Sequence, residues 1–130
     1  MKISTKGRYA LIIMTELARN YKNDTYLSLN DIAKEENISL KYLEKIMNNL
    51  KKKDYFITSR GGNGGYKLAY SPEKYIIGDI IRASEEQIDV VPCINEECSR
   101  NNKCSTFPLW KELNDLINDY LDSKTLADYI

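Results

Sequence analysis

Three cysteines carry the most reactive side chains of this chain, and they lie close together at Cys93, Cys98 and Cys104. They are the only cysteines among the 130 residues, and four and five residues separate them. An odd number of cysteines argues against a disulfide framework, whereas clustered thiols suit soft metal ions or redox chemistry. The spacing therefore indicates a metal site or a redox-active segment.

Zinc ions and iron-sulfur clusters usually take four protein ligands, and this segment supplies three thiols. Because the chain has no histidine, the fourth ligand would be a carboxylate such as Glu96 or Glu97, an acid of a second subunit, a hydroxyl or an exogenous thiol. Three interpretations stay open at this point: an iron-sulfur cluster, a zinc ion, and free thiols or a redox pair without metal.

A second group of residues surrounds positions 61–65, which hold four of the six glycines. Asn63-Gly64 is the usual centre of a type I′ turn, because both central residues of that turn need positive φ. We therefore predict a glycine-rich β-hairpin with strands at roughly 55–59 and 66–70 and with cations at its base.

Two helical patterns precede the hairpin and lie only a few residues apart. Ser28 begins a capping-box pattern and opens a short helix that ends near Asn37. Ser39 is the predicted cap of a longer basic helix that continues through Lys53. This order of elements is typical of a winged helix-turn-helix domain, whose second helix enters the major groove of DNA.

Nine residues of this region are candidate DNA contacts, because phosphates attract cations and base edges need donors and acceptors. They are Ser28, Ser39, Lys41, Tyr42, Glu44, Lys45, Arg60, Asn63 and Lys67. The ring of Tyr42 has two interpretations, a groove contact or packing against the domain. Glu44 is unfavourable near phosphates unless it accepts from a cytosine amino group or positions a lysine, so it is a candidate for setting sequence preference.

The remaining helical patterns position these two groups of residues. The spacing of apolar residues predicts a first helix from Thr5 to about Tyr21, a short helix around residues 76–83, and a last helix from about Ser105. The last helix carries an apolar stripe, which we expect to pack against the same helix of a second subunit. The stripe comprises Leu109, Leu113, Leu116, Ile117, Tyr120 and Leu121.

The predicted fold is mainly α and has three parts. Residues 1–83 form a winged helix-turn-helix DNA-binding domain, residues 84–104 a cysteine-containing sensor loop, and residues 105–130 a dimerisation helix with a capped C-terminal turn.

The net charge of zero conceals an asymmetry along the chain. Residues 1–70 hold 13 Lys and Arg against 7 Asp and Glu, a formal charge of +6, and residues 71–130 hold 6 against 12, a formal charge of −6. A polyanion is attracted to the first part and repelled by the second. This distribution favours a DNA-binding N-terminal half.

Several other classes of protein are disfavoured by the sequence. It contains neither an apolar run of about 20 residues nor a signal peptide, so we expect a cytoplasmic protein without membrane contact. An enzyme is disfavoured, because the chain has no histidine, no C-x-x-C pair and no phosphate-binding loop. A module that binds an acidic protein is the remaining competitor, and a steep salt dependence of DNA affinity would exclude it.

The chain resembles the IscR/NsrR/CymR group of bacterial winged-helix transcriptional regulators over nearly its whole length. The matching motifs are KISTKGRYA at residues 2–10, ISLKYLEKI at residues 38–46 and SRGGNGGYKL at residues 59–68. The resemblance implies a homodimer built on a long helix, a palindromic operator, and control of iron-sulfur assembly, nitrosative-stress or cysteine-metabolism genes.

The resemblance also bears on the cofactor. In the cluster-binding branches, three cysteines that match those of this chain hold a 2Fe-2S or 4Fe-4S iron-sulfur cluster. The resemblance thus implies a regulator that senses iron-sulfur or redox status through a cluster on Cys93, Cys98 and Cys104. Phe107 stands where the assembly regulators have a histidine ligand, and Arg8 stands where the nitric-oxide sensors have an aspartate. The cysteine-metabolism branch works without a cluster and through a partner enzyme, which gives the alternative of a metal-independent regulator that responds to a partner protein or to thiol oxidation.

Overall fold

Five α-helices and one β-hairpin are the main elements of the computed structural model, which describes residues 3–61, 64–84, 88–100 and 103–130. This composition confirms the predicted mainly α fold. Within these ranges the elements are α1 (Thr5–Arg19), α2 (Leu29–Glu36), α3 (Leu40–Leu50), β1 (Phe56–Ser59), β2 (Gly65–Leu68), α4 (Ile77–Ser84) and α5 (Phe107–Asp122).

Both helices of the helix-turn-helix pair begin, and the first one ends, where local sequence signals predict. The Ser28 hydroxyl accepts from Asp31 N at 3.0 Å, and the Ser39 hydroxyl accepts from Tyr42 N at 3.4 Å. Asn37 ends α2 in the left-handed conformation with φ of 54°, which turns the chain directly into α3. Both predicted caps are therefore confirmed.

The end of α3 differs from the prediction. The helix ends at Leu50 rather than Lys53, and residues Lys51–Lys53 form a 3₁₀ turn that Asp54 closes at φ of 56°. Three successive lysines offer no apolar residue that could keep another α-helical turn packed on the core, which explains the early end.

The hairpin is attached to the loop before α2. β1 pairs with β2 in antiparallel register, and Tyr66 exchanges two backbone hydrogen bonds with Leu27, at 2.7 and 2.9 Å. Gly65 has a φ of 153°, and a Cβ atom there would collide with the backbone of Leu27. At the tip, Gly64 N donates to Gly61 O at 3.0 Å, while Asn63 lies outside the described residues.

The C-terminal turn returns to the core of the N-terminal part. Thr125 pairs with Ile76 in an isolated β-bridge, and Leu126 N donates to Tyr75 O at 3.0 Å. The Leu126 side chain is 0% exposed and belongs to the same apolar core as Ile13 of α1. The predicted cap is present, since Thr125 N donates to Asp128 Oδ2 at 2.9 Å.

No helix in the described ranges is both long enough and apolar enough to cross a bilayer.

Leu126→Ala is expected to lower the free energy of unfolding by about 2–5 kcal/mol, because it leaves a cavity in a fully buried site. Urea denaturation followed by circular dichroism measures this loss. Ile130→Ala is the matched control, since Ile130 is exposed near the same turn; its effect should stay within about 0.5 kcal/mol. Equal losses for the two variants would show that the turn is not part of the core.

Candidate nucleic-acid interface

Helix α3 has one apolar side and one polar side. Leu43, Ile46, Met47 and Leu50 are at most 1% exposed and pack in the core. The opposite side carries four exposed polar residues, which are Lys41, Glu44, Lys45 and Asn48. Four of the candidate contacts, counting the exposed Ser39 at the helix start, therefore share one accessible surface.

Tyr42 lies at the margin of this surface. Its half-buried ring meets the ring of Tyr9 in α1 edge to face, with centroids 5.6 Å apart and an interplanar angle of 82°. The ring of Tyr42 therefore packs against the domain, and its contact with DNA stays a prediction.

One flank of α3 faces the hairpin. A cleft on this flank is lined by residues of α2, α3, the 3₁₀ turn after α3, and β2, which are Leu29, Asn30, Leu40, Glu44, Asn48, Lys51 and Tyr66. The Lys51 ammonium lies 5.3 Å from the centre of the Tyr66 ring, a cation–π distance that links the 3₁₀ turn after α3 to β2.

The other flank of α3 forms a second cleft with the start of α1 and the end of α4, which we call the lysine groove. Its lining includes five cations: Lys6, Lys45, Lys52, Lys53 and Arg82. Among the lining residues that the structure describes, none is a carboxylate. This groove was not predicted from the sequence, although Tyr42, Lys45, Asn49 and Lys52 recur at helical spacing and so share one flank.

The hairpin cations differ in their surroundings. Arg60 is exposed at the end of β1. The Lys67 ammonium instead donates to Asp24 Oδ1 at 2.7 Å and lies 4.9 Å from the centre of the Tyr26 ring. This hydrogen bond raises the pKa of Lys67 and lowers the pKa of Asp24 from their ordinary values. Lys67 therefore joins the hairpin to the loop before α2.

In the cysteine segment (residues 84–104), the residues that the structure describes form no metal site. Cys93 and Cys104 are half-buried and Cys98 is exposed, and the described residues contain no group of three or more cysteine or acidic side chains placed to hold a metal ion. Hydrogen bonds from Thr106, followed by smaller contributions that include Phe107 N–H and the Arg100 charge, lower the pKa of Cys104 from its ordinary value.

Comparisons with known proteins identify the family. A model of the Rrf2 family, described as an iron-dependent transcriptional regulator, matches residues 3–130. The chain belongs to the Rrf2 family. The protein named HTH-type transcriptional regulator IscR from Yersinia pseudotuberculosis is 34% identical over 131 residues, which cover 100% of this chain and 79% of that protein.

Solved structures of this Rrf2 family agree with the fold. CymR, the global cysteine regulator of B. subtilis, is 38% identical with a TM-score of 0.81, and the match covers 98% of this chain and 95% of that one. T. potens IscR is 34% identical with a TM-score of 0.76, and the match covers 98% and 85%. The resemblance to IscR and CymR is confirmed, and the chain is a winged-helix transcriptional regulator rather than an enzyme. The individual contact residues stay predictions.

Arg60→Ala is expected to weaken operator binding by about 1–3 kcal/mol, because an exposed arginine at the hairpin end is suited to a base or groove contact. Fluorescence anisotropy with a duplex operator measures the affinity. Lys111→Ala removes an exposed cation of α5 and should change the affinity by less than about 0.5 kcal/mol at the same ionic strength. If Arg60→Ala changes the affinity as little as this control does, the arginine has no role in binding.

Proposed function

We propose that this Rrf2 regulator acts as a homodimer that binds a palindromic operator. The observation that carries the proposal is a row of exposed apolar residues on α5. Leu116 is 68% exposed and Tyr120 is 60% exposed, and Leu109 and Leu113 continue the row toward the start of the helix. Burial of such a row against a second copy removes a large apolar area from water.

The predicted stripe divides into two rows in the structure. Ile117 and Leu121 are partly buried and pack against the core of the same chain, while Leu109, Leu113, Leu116 and Tyr120 face outward. The expectation that all six residues meet a second subunit is therefore narrowed to the outer four. A helix with apolar rows on two sides can contact its own domain and a partner at the same time.

The polar side of α3 and its two flanks support a specific mode of DNA binding. With the polar side of α3 in the major groove, the hairpin faces one bordering phosphate strand and the lysine groove faces the other. Cations on both flanks supply affinity that does not depend on base sequence, whereas Lys41, Glu44 and Lys45 are placed to contact base edges. Two such domains, related by a twofold axis, then bind the two halves of a palindrome.

We propose further that the cysteine segment receives the signal through its thiols or through a partner protein. The arrangement of Cys93, Cys98 and Cys104 does not fit a cluster as it stands, because the described residues do not bring three such ligands together. No step of the proposed function therefore depends on a cluster.

An iron-sulfur regulator is the second candidate. The C-x4-C-x5-C spacing, the family description as an iron-dependent regulator and the relatives named IscR favour it. The three thiols would be ligands and a fourth group would come from elsewhere, which requires the segment to rearrange.

Leu116→Asp is expected to convert the dimer into monomers, because it places a charge in the centre of the proposed apolar contact. Sedimentation velocity at micromolar concentration measures the oligomeric state, and operator affinity should fall with it. Glu112→Ala changes an exposed residue of the same helix outside the row and should stay dimeric. A wild-type chain that sediments as a monomer would contradict the proposal directly.

Protein purified without oxygen is expected to be colourless and free of iron and acid-labile sulfide, as measured by visible absorption and by chemical analysis. Treatment with diamide should then change the operator affinity of the wild type by about fivefold or more, a typical size for coupling between two sites. The Cys93→Ala, Cys98→Ala, Cys104→Ala triple variant is the control and should not respond. If the purified protein is brown and contains stoichiometric iron and sulfide, this proposal is wrong and the iron-sulfur regulator takes its place.

A further inference from the structure

Arg82 joins the DNA-binding domain to the last two turns of α5. Its Nη1 donates to Asp122 Oδ1 at 2.8 Å and its Nη2 donates to Asp122 Oδ2 at 3.1 Å, so that two parallel hydrogen bonds hold the carboxylate. Nη2 also donates to Asn118 Oδ1 at 2.7 Å. A two-point contact between planar groups fixes direction as well as distance.

Gly78 provides the space for this contact. A Cβ atom at Gly78 would collide with Asp122 Oδ1 and would lie 3.0 Å from Arg82 Nη1. Glycine forms helices less well than every residue except proline. Its presence in the first turn of α4 is therefore explained by the close approach of Asp122 to that turn.

The same side of α5 holds the chain that leads to the cysteines. Asn114 Oδ1 accepts from Val90 N at 3.0 Å, and Asn118 Nδ2 donates to Ile88 O at 3.4 Å. With Asp122, these two asparagines form a row at intervals of four residues, which one helix face presents together. The row thus connects α5 both to the cysteine segment and to Arg82.

Helix α5 connects the Arg82 contact to the proposed contact with the second subunit. The 16-residue helix is about 24 Å long at 1.5 Å per residue. Its outer row of Leu109, Leu113, Leu116 and Tyr120 is the proposed contact with the second subunit, while Arg82 holds the last two turns to the DNA-binding domain. A rotation at Arg82 therefore moves the recognition helix α3 relative to the twofold axis.

We propose that Arg82 is a positioning residue for operator binding, whose contacts with Asp122 and Asn118 set the spacing between half-sites that the dimer accepts. This inference rests on the proposed homodimer. Half-sites lie about 34–36 Å apart, one turn of DNA, so one added base pair displaces a half-site by about 3.4 Å and rotates it by about 35°. A rigid attachment resists this displacement and a loosened one accommodates it.

The test uses the full chain and the palindrome that it selects from a random duplex library. Two further duplexes carry a spacer one base pair shorter and one base pair longer. We expect the wild type to lose about tenfold in affinity on both altered spacers, comparable with the cost of one mismatched base pair. Arg82→Gln should lose less than about threefold, and Gly78→Ala should behave likewise because it displaces Asp122.

Two further variants separate positioning from folding. Lys111→Gln removes the Lys111–Asp115 pair, which lies entirely within α5, and should keep the wild-type spacer penalty. Asp122→Asn removes the carboxylate but retains the contact between Arg82 and Asn118. If circular dichroism shows that Arg82→Gln is unfolded, Asp122→Asn becomes the deciding variant. If Arg82 has only a structural role, Arg82→Gln lowers the affinity equally for all three duplexes, and the loss caused by an altered spacer stays as large as in the wild type.

The outcomes for the two proposals are distinct. A wild type that selects no palindrome contradicts the proposed function. If the wild type loses affinity on the altered spacers and Arg82→Gln and Gly78→Ala lose as much, the homodimer is supported and the proposed role of Arg82 is overturned.

Discussion

The burial of one side of α3 is the constraint on which the rest of the structure depends. Leu43, Ile46, Met47 and Leu50 are nearly inaccessible to solvent, and they hold the helix against α1 and α4. A recognition helix needs its polar side free for DNA, so all of its stabilising contacts must come from the apolar side and the two flanks.

Electrostatic contacts divide the cations into two groups. Lys67 and Arg82 are paired with carboxylates and connect elements of the fold, whereas Lys41 and Lys45 are exposed on the outer side of α3. The 13 cations of residues 1–70 therefore overstate the number available to phosphate, because Lys67 is paired with Asp24. Asp24 and Asp122 are the carboxylates of these two pairs, and each holds a basic residue in a structural position.

Local signals made the helix starts predictable, and long-range contacts explain what the sequence did not reveal. Ser28, Ser39 and Thr125 cap helices through hydrogen bonds to residues three positions away, so nearby spacing is sufficient to find them. The pairing of Arg82 with Asp122, 40 positions later, leaves no such local pattern. The division of the α5 stripe into two rows also depends on packing partners that periodicity does not identify.

The return of Leu126 to the core has a consequence for biosynthesis. Ribosomes release the N-terminal part of a chain first, but this DNA-binding domain lacks one of its fully buried side chains until residue 126 has been translated. At 5–20 residues per second, the interval after Ser84 lasts roughly 2–8 s, during which α1 and α4 leave apolar surface open to water. A chain that ends before residue 126 therefore keeps this apolar surface exposed to water.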